Sequence, residues 1–376
     1  MNTLDSGRLD DLAELTAADP GEMLRQVASA ASQVRQAQIL AAEAGVAELA
    51  AEGRPRAVVV TGMGAAGLTG DLVAALCARV CPIPVLSLRG DRLPGWVGAA
   101  DLVIAVSGSG RTEETLATAT EAIRRGSRLL CVGPLGEDVP LAGIAAQGRA
   151  LYLPVRPEGQ EPRALFWGLT VPVVLALRAL GLLDAPDPVL EAVAVRLEDV
   201  SHRCRPASES FLNPGKQLAL GLAGQIPLVW GGSPLAAVAA RRLAGQLGAN
   251  AKYPAVYGEL PAAGHDQIAV FDGPFTGGAG SVEDFFRDRV DEPETGLHLV
   301  LLRDAGEDSP TVDGAVELAR ARGIPVTELA AEGEHPLERA ATLIALADYA
   351  TVYLAIALDI DPTPVVAGQE LGARRR

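Results

Sequence analysis

The stretch DLVIAVSGSGRTEETLATATEAIRRG, residues 101–126, changes character twice. Leu102–Val106 is an unbroken apolar run of the length of one strand, with no polar alternation. That pattern belongs to a strand buried on both faces. From Glu113 onward, apolar and small residues recur at helical spacing until Gly126. Between the two lie Ser107, Gly108, Ser109, Gly110, Arg111 and Thr112. The polar cluster is therefore a strand-to-helix turn, and it carries three hydroxyls.

The same alternation extends in both directions. RAVVVTGMGAAGLTGDLVAALCARV reads as strand, Gly-rich turn and helix, IPVLSLRG as a second strand, and SRLLCVGPL and ALYLPV as further strands. Upstream, residues 22–53 carry apolar positions at helical spacing and end at Gly53. Strands alternating with helices predict a parallel sheet with helices on both faces. RPEGQEPR then reads as a loop, followed by helices over about 164–181 and 187–203. After NPGKQLALGLAGQ the alternation restarts with the strand IPLVWGG, the helix SPLAAVAARRLAGQLGA and the strand LHLVLLRD. The helix TVDGAVELARARG, the strand IPVTELA and a long closing helix from PLERAATL complete it. The chain thus reads as two copies of one α/β architecture. The expected division is residues 1–155, a helical linker over 156–210, and residues 211–376.

Composition narrows the function. The 376 residues are long for one core, and the formal net charge is −15. An acidic chain repels phosphate backbones, so a nucleic-acid binder is excluded. The terminal ARRR is expected to be a solvated tail. Cys77, Cys81, Cys131 and Cys204 show no paired zinc spacing and read as small buried hydrophobes of a cytosolic protein. The four histidines are scattered, so no metal is expected. The N-terminus is acidic and has no apolar core, so no signal peptide is expected. The segment ALFWGLTVPVVLALRALGLL comes closest to a membrane span, but Pro172 and Arg178 interrupt it. It reads as a buried helix, and no membrane partner is expected.

Ligands of parallel α/β sheets bind outside the carboxyl ends of the strands. Two Gly-rich turns of the first half converge there, TGMGAAGLTGD (61–71) and SGSGRTEET (107–115). Glycine lets backbone N–H groups approach an anion, and a following helix N-terminus adds unpaired N–H groups. Ser107, Ser109 and Thr112 each add a hydroxyl. The ensemble is a phosphate cradle that needs few cations. The first turn alone also fits a tight turn with a helix cap. Its glycine spacing departs from the dinucleotide pattern at Ala66 and Gly67.

These motifs resemble the sugar isomerase (SIS) domain signature, Ser-x-Ser-Gly-x-Thr-x-Glu-Thr. The whole chain resembles the bifunctional phosphoglucose/phosphomannose isomerase family, which has two SIS domains in one chain. GMGAAGLTGD, PRAL (162–165), NPGKQLA, ANAKYPA, GHDQI and DPTPV fall in that family's order. The resemblance implies an α/β fold of two flavodoxin-like, three-layer domains. It implies a sugar phosphate held by Gly64, Ala65, Ala66, Ser107, Ser109 and Thr112. It further implies Arg163 to stabilise an enediolate, His265 to open the sugar ring, and a homodimer in which that histidine comes from the partner subunit. The implied activity interconverts glucose 6-phosphate or mannose 6-phosphate with fructose 6-phosphate.

Two catalytic positions depart from the family pattern. The carboxylate that acts as base is replaced by Ala249, and the closing lysine by Gly372. Ala66 stands where the family has a serine. Asp266 follows His265 where the family has asparagine. Arg163 also fits an ion pair with Glu158 or Glu161, His265 a loop histidine with a local hydrogen bond, and Lys252 a surface lysine. Glu259 is the nearest downstream carboxylate, though not the expected substitute base. The chain is accordingly either a phosphosugar isomerase with an impaired site or a catalytically degenerate phosphosugar-binding or regulatory protein.

Overall fold

Val58–Thr61 (β1), Val85–Leu88 (β2), Leu102–Val106 (β3), Arg128–Pro134 (β4) and Leu151–Val155 (β5) form one parallel sheet in the order β2-β1-β3-β4-β5. Every residue of β1 and β3 is buried, as central parallel strands require. Ile226–Gly231 (β6), Val256–Glu259 (β7), Leu297–Arg303 (β8) and Val326–Ala330 (β9) form a second parallel sheet in the order β7-β6-β8-β9. The second order repeats the first without its fifth strand, which is the duplication expected from sequence. The computed structural model describes residues 7–136, 138–276, 295–304 and 309–374. By contacts the chain divides into two units, residues 28–198 and residues 1–27 with 199–376.

Two helices, Leu12–Ala18 (α1) and Met23–Ala28 (α2), lead the chain. In the first unit follow Ala30–Glu43 (α3), Ala65–Cys77 (α4), Glu113–Arg124 (α5), Pro140–Gly148 (α6), Phe166–Ala179 (α7) and Asp187–Arg203 (α8), the last running on into the second. Helix α5 packs with α6, while α4 and α3 pack with α7, so helices cover both faces of the sheet. Thr61 Oγ1 meets Thr118 Oγ1 at 3.0 Å, and Thr69 Oγ1 meets Thr170 Oγ1 at 2.9 Å, so the buried hydroxyls satisfy one another. The second unit continues with Pro214–Leu222 (α9), Pro234–Asn250 (α10), Ala263–Asp266 (α11), Pro310–Ala321 (α12), Pro336–Ala357 (α13) and Val366–Arg374 (α14).

Some expectations change. The helical run 22–53 is three pieces: it breaks at Ser29 between α2 and α3, and Gly45, at φ 82°, separates α3 from a 3-10 segment. Strand β7 escaped the reading because it is a four-residue edge strand with three exposed positions. Among the described residues the helix long and apolar enough to cross a membrane is α13 rather than α7, and nearly all of its apolar stretch is buried. Cys77, Cys131 and Cys204 are buried but Cys81 is only half-buried, and burial pushes the Cys131 thiol up to about 12. Of the basic tail, Arg375 and Arg376 lie outside the described residues, and Arg374 is exposed.

Buried His298 on β8 hydrogen-bonds Thr327 Oγ1 at 2.8 Å, and desolvation lowers its pKa below the ordinary histidine value. The unfolded chain therefore binds this proton at a higher pH than the folded chain. Stability contributed by neutral His298 is present above about pH 6.5 and declines as pH falls below it. In denaturant titrations at pH 7.5 and 5.5, His298→Gln is expected to lose less stability on acidification than the unaltered chain. An equal loss would show that this histidine does not carry the slope.

Candidate active site

The β1–α4 turn is built to leave donors free. Gly64 sits at φ 56°, ψ −127°, a backbone region that favours glycine. The N–H groups of Ala66 and Gly67 bond Met63 O at 3.1 and 3.3 Å. Those of Met63, Gly64 and Ala65 donate to no acceptor among the described residues. The Ala66 methyl is buried against Gly62, so this position shapes the turn without offering a hydroxyl.

The β3–α5 turn lies beside it, since Thr61 of β1 pairs with Ala105 of β3. Thr112 is the N-cap of α5, yet its side chain makes no capping bond. It meets Ser107 Oγ at 2.9 Å instead, and Ser107 Oγ lies 3.4 Å from Ser109 Oγ. The N–H groups of Gly108, Ser109 and Thr112 also donate to no acceptor among the described residues. Two sets of unpaired N–H groups and three clustered hydroxyls thus stand at the switch point of a 2-1-3-4-5 sheet. The positive end of the α5 dipole adds to them. The Arg111 side chain turns away and donates to Asp138 O.

Arg163 is brought to the same edge. A Cβ placed on Gly108 would lie 3.5 Å from Pro162, so the 3-10 turn Pro162–Ala164 rests on the serine turn. Buried Gln33 of α3 holds that segment: its Nε2 donates to Ala164 O at 2.8 Å and its Oε1 accepts from Gly168 N at 3.1 Å. Arg163 pairs with Glu161 at 2.9 Å, one of the two ion pairs expected from sequence.

The other predicted positions lie in the second unit. His265 is exposed on α11; its backbone N–H donates to Ala262 O at 2.8 Å, while its imidazole makes no hydrogen bond among the described residues, unlike a loop histidine held by a local side-chain bond. Leu260 N bonds Gly231 O at 2.9 Å, which puts α11 at the carboxyl edge of the second sheet. Ala249 is at the far end of α10, half-buried. Nearby Tyr253 OH donates to Gln225 O at 2.7 Å, just before β6 begins, so Ala249 marks the amino edge. Glu259, the last residue of β7, shares the edge of His265 and so lies across the sheet from Ala249.

Lys252 is a staple rather than a free surface lysine. Its Nζ donates to Asn250 O at 3.0 Å and to Asp361 O at 2.8 Å, which ties the end of α10 to the turn leading into α14. Ala249 adjoins this staple near the end of α10, and Gly372 lies near the end of α14. A Cβ on Gly372 would meet nothing within 4 Å. Lys216 of NPGK is fully buried, with Nζ 2.9 Å from Pro206 O and 2.6 Å from Ser208 O, and is structural. The turn after β6 differs from its counterpart after β3. Ser233 caps α10 through Ala236 N at 3.1 Å and shares the Asp304 carboxylate at 3.4 Å. A spent hydroxyl beside a carboxylate does not suit an anion.

One pair escaped sequence reading. Arg89, after β2, grips Asp71 of α4 through two bonds of 2.8 and 2.5 Å. The only signal was the Gly-Asp closing GMGAAGLTGD. Among the described residues no cluster of His, Cys, Asp and Glu is gathered to hold a metal ion.

Comparison with known proteins places these features. The description of the bacterial phospho-glucose isomerase C-terminal SIS domain matches residues 211–372. A bifunctional phosphoglucose/phosphomannose isomerase of Aquifex aeolicus is 30% identical, over 82% of this chain and 87% of its own. The enzyme of the same name from Caldicellulosiruptor bescii is 29% identical, over 82% and 86%. The structure of tagatose-6-phosphate ketose/aldose isomerase from Escherichia coli superposes with TM-score 0.64 at 17% identity, covering 92% of this chain and 95% of that one. At that identity it shows the fold alone. Sequence similarity over four-fifths of the length, with the two turns in order, makes this chain a member of the bifunctional phosphoglucose/phosphomannose isomerase family.

Proposed function

We propose that the chain is a phosphosugar isomerase of slow turnover. It binds glucose 6-phosphate or mannose 6-phosphate and fructose 6-phosphate with the phosphate on Gly64–Ala66, Ser107, Ser109 and Thr112. The observation that carries this reading is the unspent cap: Thr112 leaves the α5 N-terminus open and turns its hydroxyl to Ser107. Arg163 stands beside the cradle for the enediolate, and His265 is assigned to ring opening. The domain division is 1–155, 156–210 and 211–376, and the protein acts in the cytoplasm without a cofactor. A second reading, a phosphosugar-binding or regulatory protein without turnover, is favoured by Ala249 and Gly372. Turnover of fructose 6-phosphate measured beside its binding separates the two. Binding with slow isomerisation supports the first reading, binding with none supports the second, and no binding removes both.

A homodimer belongs to this proposal. His265 and Ala249 stand at opposite edges of one sheet, so a site using both positions on one sugar draws them from two copies. Sedimentation at micromolar concentration is expected to give a dimer, and a monomer would contradict the shared site.

A further inference from the structure

We propose that Arg89 and Asp71 are positioning residues of the phosphate site, acting through the backbone of the β1–α4 turn. The proposal rests on the phosphate reading given above. Neither side chain is assigned to the ligand. The guanidinium is occupied by Asp71 through a two-bond fork, 2.8 and 2.5 Å, and both side chains are largely buried. A planar fork on a carboxylate fixes orientation as well as distance.

What the fork fixes is the start of α4. Asp71 lies one helical turn beyond Gly67. The Arg89 stem lies flat against Gly67: a Cβ there would come within 2.8 Å of Arg89 Nε and 2.7 Å of Gly62 O. Ser87, two residues before Arg89, donates its Oγ to Gly67 O at 3.2 Å. Gly62 N bonds Leu88 O at 3.2 Å. Thus the end of β2 holds the turn from both sides, at Gly62 and at Gly67 with Asp71. The free N–H groups of Met63, Gly64 and Ala65 lie between those anchors. Preorganised donors bind an anion without a reordering cost, so their aim depends on the anchors.

The test turns on sign. Asp71→Asn removes a negative charge close to an anion site, so Coulomb attraction alone predicts tighter binding. Positioning predicts the reverse. By calorimetry, Asp71→Asn and Arg89→Lys are each expected to weaken both inorganic phosphate and fructose 6-phosphate by the same factor, about tenfold. An equal factor locates the loss at the phosphate rather than the sugar. Ser87→Ala, a milder change, is expected to weaken both ligands by a smaller common factor, and it serves if the ion-pair variants fail to fold. Unchanged or tighter binding in folded Asp71→Asn overturns the proposal while the phosphate reading stands, and so does Ser87→Ala binding both ligands as the unaltered chain does. If the unaltered chain binds neither ligand, the phosphate reading itself fails, and the proposal with it.

Discussion

Ala249→Glu together with Gly372→Lys is expected to raise isomerisation of fructose 6-phosphate by about 10²–10⁴-fold over the unaltered chain, the usual contribution of a general base. Moving a proton between C1 and C2 needs a carboxylate in reach of both carbons. The unaltered chain has a methyl group at the position to which family resemblance assigns that base. The surroundings are ready for the change. Ala249 is half-buried rather than packed, and space around Gly372 is open. Lys252 still ties the end of α10 to the turn leading into α14, and Asn250 Nδ2 donates to Thr351 Oγ1 of α13 at 3.0 Å. The check is a coupled assay after removal of host isomerase. Fast turnover by the unaltered chain, surviving Glu259→Gln, would show that another group is the base.

Ser109→Ala with Thr112→Ala is expected to weaken fructose 6-phosphate binding by about a hundredfold or more. Each hydrogen bond to a charged group contributes about 1.5–3 kcal/mol, and the two losses are taken as additive. Stability should change little, because the Thr112 side chain does not cap its helix. Calorimetry on the double variant tests this. Unchanged affinity would place the phosphate elsewhere.

Much of this was legible in the chain, for physical reasons. Buried parallel strands such as Leu102–Val106 announce themselves as unbroken apolar runs, and glycine-rich turns between strand and helix mark the binding edge. The hydroxyl cluster was readable because its members lie within six residues. The remainder depends on distant partners. Arg89 and Asp71 are 18 positions apart, and an arginine before a glycine reads as an ordinary loop residue. Gln33 looks like one more polar helix residue until Ala164, 131 positions away, accepts its amide. Lys252 becomes a staple only once the turn after α13 returns to it. That Ala249 and His265 stand on opposite edges follows from the strand β7 between them, which four mostly exposed residues did not reveal.

The most direct test is a crystal structure with fructose 6-phosphate. The phosphate is expected over the first sheet, within hydrogen-bond distance of the Gly64 and Ala65 N–H groups and of Ser109 and Thr112. A phosphate on the Ser233 turn of the second sheet, or a sugar phosphate bound away from both serine-rich positions and Arg163, would contradict it.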